Sequence, residues 1–277
     1  MAKPSTSLLK RRLDIAEIVR KNGEIKVDDL AEKLGVSGVT IRNDLNYLEN
    51  QGYLKRSFGG AIYTAQQVGN AISPAASFFQ PVDTAIELEL AKQLARLVSD
   101  GERIFLGSDS VLRKTIPFLG DFAELSLVVN DLMHLAPARD FINGEVVLLG
   151  GVLGTDGQTV EGELTLRGLG EFRPSRCLLR VDHISEDGTL NVVNKDSAQL
   201  LREAMRVSER CVVVAARRPA YGEPHFAVGK LKDVYAVVTP QIVAAEYHAR
   251  FLSVGLSNSY TNNECLTWIN PLLHPAR

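Results

Sequence analysis

The sequence predicts an α/β fold in two parts, a small N-terminal module and a larger domain with a mostly parallel sheet. Three observations carry that prediction. From residue 83 onward short, uniformly apolar runs alternate with helical stretches, the pattern of a parallel sheet covered on both faces. Before residue 64 the apolar residues recur at helical spacing in short blocks, followed by a glycine-rich pair of β-prone segments. Charge divides in the same place. Residues 1–64 carry 11 Lys and Arg against 8 Asp and Glu, and the rest of the 277-residue chain carries 20 against 25. The whole-chain charge of −2 therefore averages a basic part and an acidic part, an asymmetry that points to a partner for one of them. Hydrophobic content of 45% with 23% charged residues is ordinary for a globular protein and excludes a mostly disordered chain.

The N-terminal elements follow in order. Leu8, Ile15, Ile18 and Val19 place a first helix over 8–22, stopped by Asn22-Gly23. A second spans 27–34, with Leu30, Ala31 and Leu34 as its apolar side and Gly35 at its end. Ser37 suits the N-cap of a third, running to about residue 51 with Ile41, Leu45 and Leu48 as the buried stripe. Residues 53–57 and 61–63 read as strands around a turn at Gly59-Gly60. Three closely spaced helices and a small hairpin make a winged helix-turn-helix, assigned to residues 1–62. With the stripe inward, Val39, Arg42, Asn43, Asn46 and Asn50 face out from the third helix, flanked by Thr40 and Tyr47. That face has the chemistry of a major-groove reader: Asn pairs with adenine, Arg reaches guanine or phosphate, and Val39 meets a thymine methyl. Lys55 and Arg56 at the start of the hairpin are placed for backbone phosphate. A solvated face of a helical interaction module is the plainer alternative.

Residues 63–82, rich in Ala, Ser and Gln with Pro74 and Pro81, read as a linker, and 83–277 as the α/β domain. A helix over 83–98 carries Ile86, Leu90, Leu94 and Leu97 on one side. Strands are expected at 103–106, 126–129, 145–149, 176–181, 211–215 and 235–239, and helices at 110–119, 132–140, 164–172, 195–209 and 241–252. Ligands of such sheets bind beyond the carboxyl ends of the strands. Gly107-Ser108-Asp109-Ser110 ends the first strand and opens a helix, either as an anion site or with Ser110 as an N-cap. Gly150-Gly151 allows a turn or a close ligand approach. Asp182-His183 offers acid/base groups, but with no nucleophile beside the pair it reads rather as a ligand contact or as plain loop residues. Arg113, Arg180, Arg217 and Arg218 are candidates for an anion site. Cys177, Cys211 and Cys265 lie far apart, and His134, His225, His248 and His274 lack metal-ligand spacing, so no metal, cofactor or catalytic residue is expected. With no signal-peptide core and no apolar run of about 18 residues, a soluble, cytoplasmic chain is expected.

The run Val36-Ser37-Gly38-Val39-Thr40-Ile41-Arg42-Asn43-Asp44-Leu45, with Leu48-Glu49 and Gly52, resembles the recognition helix of DeoR-type bacterial transcriptional regulators. Arg11-Arg12 and the wing ending Gly59-Gly60-Ala61 fit the same pattern, over about residues 8–62. Members of the family usually carry a second Arg where Asn43 stands. From about Leu90 to Val238 the chain is also similar to the DeoR-type effector domain, whose fold is related to sugar-phosphate isomerases. Ile104-Phe105-Leu106, Val128-Val129-Asn130, Val147-Leu148-Leu149-Gly150-Gly151 and Arg202–Met205 fit that framework.

The loops depart from it. The family's Ser-Gly and three Thr become Ser108, Asp109, Ser110, Val111 and Leu112, and Gly-Ala-Asp-Gly becomes Arg180-Val181-Asp182-His183. Ser197 replaces a glutamate, and Arg217-Arg218-Pro219-Ala220 replaces Asp-Ser-Ser-Lys. The resemblance implies a DNA-binding regulator, nucleoid-associated when bound, that represses a carbohydrate-related operon as a homodimer or homotetramer. Its DNA-binding residues would be Ser37, Val39, Thr40, Arg42, Asn43, Asn46, Tyr47, Lys55 and Arg56. A small effector, in this family a phosphorylated sugar, would meet Ser108, Asp109, Ser110, Arg113, Asn130, Gly150, Gly151, Asp182, His183 and Arg217. The rivals are an isomerase-like enzyme with an appended interaction module, and a DNA-bound scaffold without effector response.

Overall fold

The computed structural model describes residues 11–12, 14–16, 18–19, 22–50, 54–63, 84–216 and 226–273. The chain divides into two compact units, Met1–Ala85 and Ile86–Arg277. The expected linker falls almost wholly outside the described residues.

In the first unit, helical residues between 11 and 22 (α1) lead into β1 (Glu24–Lys26), α2 (Val27–Leu34) and α3 (Gly38–Asn50). Strands β2 (Lys55–Ser57) and β3 (Gly60–Ile62) complete it. Ile15, Val19, Val27, Leu30, Ile41, Leu45, Leu48 and Ala61 are all buried, so the helical periodicity marks the true core. The turn between α2 and α3 depends on Gly35, whose φ of 66° lets its N–H close back on the carbonyls of Ala31 and Glu32. Ser37 does open α3: its hydroxyl accepts from the Thr40 N–H at 3.2 Å.

Two expectations for the wing are corrected. The turn is Phe58-Gly59, and Gly60 belongs to β3. The sheet has a third strand, β1, paired antiparallel to β3 with Ile25 opposite Ala61 and Lys26 opposite Gly60. Gly60 is required there because a Cβ would stand 2.2 Å from the Ile25 carbonyl oxygen. Three residues between a helix and a glycine give too short an alternation to register as a strand.

In the second unit α4 (Thr84–Ala95) precedes β4 (Arg103–Leu106), α5 (Ser110–Thr115), β5 (Ser126–Val129), α6 (Leu135–Phe141), β6 (Val146–Leu148), β7 (Val152–Leu153) and β8 (Val160–Glu161). There follow α7 (Glu163–Phe172), β9 (Arg176–Arg180), β10 (His183–Ile184), β11 (Thr189–Val192), α8 (Lys195–Val207) and β12 (Arg210–Val214). The chain continues with β13 (Phe226–Lys230), β14 (Ala236–Pro240), α9 (Gln241–Ser253), β15 (Ser257–Thr261) and β16 (Cys265–Ile269). The main sheet runs β15-β16-β14-β12-β9-β4-β5-β6. Its last six strands pair parallel, and β16 and β15 add antiparallel at one edge. Successive residues of β12 and β14 are buried on both faces, which explains their unbroken apolar runs.

All six expected strands are present, shifted by a residue or less at most ends. The helix expected over 110–119 gives way after Thr115 to a 3-10 turn, Ile116–Asp121, where Pro117 has no N–H to continue it. Pro137 likewise sits in the first turn of α6, behind a 3-10 turn at Leu132–His134. Strands β10, β11 and β13, which form a separate antiparallel sheet, and the β15–β16 edge were not expected.

Candidate nucleic-acid interface and effector site

Helix α3 is two-faced. Ile41, Leu45 and Leu48 are buried, while Val39 is 64% exposed and Arg42, Asn43 and Asn46 are open to solvent. Thr40 and Tyr47 are half-buried on the flanks, as the spacing requires. The side chain of Asn50 lies outside the described residues. Lys55 is exposed on β2. Arg56 is half-buried: its Nε donates to the Gly60 carbonyl at 3.3 Å and its guanidinium also reaches Asn46. Beneath this face lies a group that residue patterning did not single out. Asp44 is 1% exposed and accepts from Arg11 Nε at 2.7 Å and Arg12 Nε at 2.8 Å. The Arg12 guanidinium also stacks 3.8 Å from the centre of the Tyr47 ring. One buried carboxylate thus ties α1 to the inner side of α3.

In the second unit the loops at the carboxyl ends of β4, β5 and β9 converge through polar contacts. Ser108 donates to Asp131 at 2.5 Å, and Ser110 donates to Glu87 at 2.8 Å. Asp109, not Ser110, caps α5, accepting from the Val111 N–H at 2.7 Å. The Arg180 guanidinium bridges Asp109 at 3.3 Å and Asp182 at 2.6 Å, and Asp182 also accepts from the Val193 N–H at 3.0 Å. Arg113 lies one turn into α5, and His183 begins β10.

The remaining loop residues adjoin this cluster. Asn130 is buried and donates to the Val160 carbonyl at 3.3 Å. The Gly150 carbonyl accepts from Thr165 at 2.9 Å, and a Cβ on Gly151 would stand 2.2 Å from the Thr165 hydroxyl. That pair therefore serves a crowded turn. Arg217 and Arg218 lie outside the described residues. His134 is buried, with Nε2 3.7 Å from Asp131. Burial lowers its pKa, against the opposing pull of Asp131.

The comparisons with known proteins bear on both units. Residues 11–67 match the model of the DeoR-like helix-turn-helix domain, and residues 86–241 match that of the DeoR C-terminal sensor domain. The chain belongs to the DeoR family. A protein of Escherichia coli O157:H7 named for repression of the aga operon is 30% identical over 210 residues, 76% of this chain and 77% of that one. The glycerol-3-phosphate regulon repressor of Haemophilus influenzae is 25% identical over 232 residues, 84% and 89% of the two chains. Ribose 5-phosphate isomerase A from Neisseria gonorrhoeae covers 67% of this chain and 75% of its own at 13% identity, with a TM-score of only 0.35.

This DeoR-family protein is therefore a transcriptional regulator with a helix-turn-helix domain and a sensor domain. Its matched relatives are named as regulators. Among the described residues no helix is long and apolar enough to cross a membrane, and no group of three or more His, Cys, Asp and Glu could hold a metal. Residue patterning overlooked Asp44, Asp131 and Glu87. For Asp131 a signal existed, an Asp directly before a helical run, and it does cap that turn through the Met133 N–H. Asp44 carried one too: three residues after Ile41 and four before Leu48 it falls on the buried stripe, where a carboxylate needs partners, and Arg11 and Arg12 supply them.

Proposed function

We propose that this DeoR-family regulator represses a carbohydrate-related operon, reading its operator with α3 and releasing it when the sensor domain binds a small effector. The observation that carries the reading is the polarity of α3. A fully buried apolar stripe fixes the helix, and the opposite face presents Val39, Arg42, Asn43 and Asn46 in a short exposed row. A row of this size fits the major groove, with Arg42 to guanine or phosphate and Val39 to a thymine methyl. Ser37, Thr40 and Tyr47 border that row, and Lys55 on the wing meets phosphate. Groove readers of this kind pair on near-palindromic half-sites, so the working form is a homodimer or homotetramer. Replacing Arg42 by Ala should weaken operator protection in a footprinting titration by about tenfold or more without changing the melting temperature. Unaltered protection would remove α3 from the groove.

The effector is a carbohydrate bound at the loops that carry Ser108, Asp109, Ser110, Arg113, Asn130, Asp182 and His183, beside the Gly150-Gly151 turn. The names of the matched repressors, one of them of a glycerol-3-phosphate regulon, support a phosphorylated ligand. Arg113, Lys114 and Arg180 are described cations near these loops; Lys114 is paired with Glu87, and Arg180 already faces Asp109 and Asp182. A phosphate must therefore exchange with those carboxylates, whereas sugar hydroxyls find acceptors in place. Thermal unfolding with sugars and with their phosphate esters separates these ligands, because ligand at 100 times its Kd stabilises by about 2.7 kcal/mol.

A further inference from the structure

Arg56 does not stand free on the wing. Its backbone N–H donates to Glu49 Oε1 at 2.7 Å, its Nε to the Gly60 carbonyl at 3.3 Å, and its Nη1 to Asn46 Oδ1. Glu49 and Asn46 both belong to α3, so this one residue joins the wing to the groove-facing helix, through its backbone N–H and its guanidinium. The Asn46 atom that meets the guanidinium is the oxygen, because every guanidinium N–H is a donor. The amide is thereby oriented, with Oδ1 toward the wing and the NH₂ group turned away from it.

That orientation has a consequence for base reading. Asparagine recognises adenine with two bonds, accepting from N6 through Oδ1 and donating to N7 through Nδ2. Arg56 takes one of the two lone pairs of Oδ1 and turns the oxygen toward the wing, so the NH₂ end of the amide is the end turned away from the wing and offered for base reading. Guanine offers two acceptors there, N7 and O6, whereas adenine sets a donor beside its N7. We propose that Arg56 is a positioning residue that orients Asn46 to read with its NH₂ donors, so that the base facing Asn46 in each half-site is guanine. Arg56 is then a determinant of specificity rather than a sequence-independent phosphate contact. The inference rests on the reading of α3 as the groove helix.

Selection from a random-sequence duplex library by the full-length protein, followed by sequencing, tests it. Asn46→Ala identifies the motif position that Asn46 reads, by the loss of preference there alone. Guanine is expected at that position in the wild-type motif. Arg56→Met should reduce the preference for guanine over adenine by about tenfold at that position and leave the others intact. Arg56→Lys keeps a cation on the wing but lacks the guanidinium fork, so it should lose the same preference with an unchanged salt dependence. Circular dichroism monitors folding, and Arg56→Lys carries the test if Arg56→Met unfolds the wing. The inference is overturned if both Arg56 variants keep the wild-type motif while Arg56→Met binds all sequences more weakly with a salt slope reduced by about one, the mark of a phosphate contact. Adenine at the Asn46 position of the wild type would overturn it alone. A wild-type protein that enriches no motif would overturn the groove reading as well.

Discussion

Asp44 and His134 are two buried titratable groups with opposite energetics. Asp44 is a buried acceptor for two arginines whose side chains are themselves only 20% and 15% exposed. Removing one partner of such a group leaves the others uncompensated, so Asp44→Asn should destabilise the N-terminal unit by about 3 kcal/mol in urea unfolding. A change within a few tenths would mean that solvent already screens the pair. His134 is instead held neutral, its pKa lowered by burial. The unfolded imidazole keeps its ordinary pKa near 6.5, so on acidification the unfolded chain takes up the proton first. Stability of the sensor domain is fully present above that pH and falls below it, by up to about 1.4 kcal/mol per pH unit. The unfolding midpoint of His134→Gln should lack this slope between pH 6.5 and the folded-state pKa. If both proteins decline in parallel, His134 is not the source. Helical spacing puts Asp44 on the buried stripe, but which groups pack over it and over His134 is decided only by the tertiary structure.

Among the elements, those that were readable carry long or uniform patterns. The third helix, with its serine cap and stripe of Ile41, Leu45 and Leu48, is where periodicity placed it. The parallel strands were visible because both faces are buried and their residues are apolar without interruption. Strands that escaped notice are short or half-exposed: β1 has three residues, and β15 is the polar edge Ser257–Thr261. Their partners hold them in place more than their composition does. Gly60 shows this dependence. Gly60→Ala would push a methyl into the Ile25 carbonyl and separate β1 from β3, at an expected cost of about 1–3 kcal/mol and with weaker operator binding. Unfolding and mobility-shift measurements on this variant check both effects. An unchanged protein would mean that β1 contributes nothing to the wing.

For the whole molecule the division of labour is the testable matter. Deleting residues 1–62 should abolish operator binding in a mobility-shift assay and leave a folded sensor domain that still sediments as an oligomer. A monomeric product that still binds the operator would refute that division. The sequence by itself determined the two-part plan, the basic N-terminal module masked by an acidic remainder, the outward face of α3 and the parallel strands. These are properties of local periodicity and composition, which act along the chain. Only the tertiary structure decided that Asp109 caps α5 while facing Arg180, that Ser108 and Ser110 turn to carboxylates, and that Arg56 is bound to Asn46. Hydrogen bonds and ion pairs join residues distant in sequence, and which donor meets which acceptor is settled only when the elements pack.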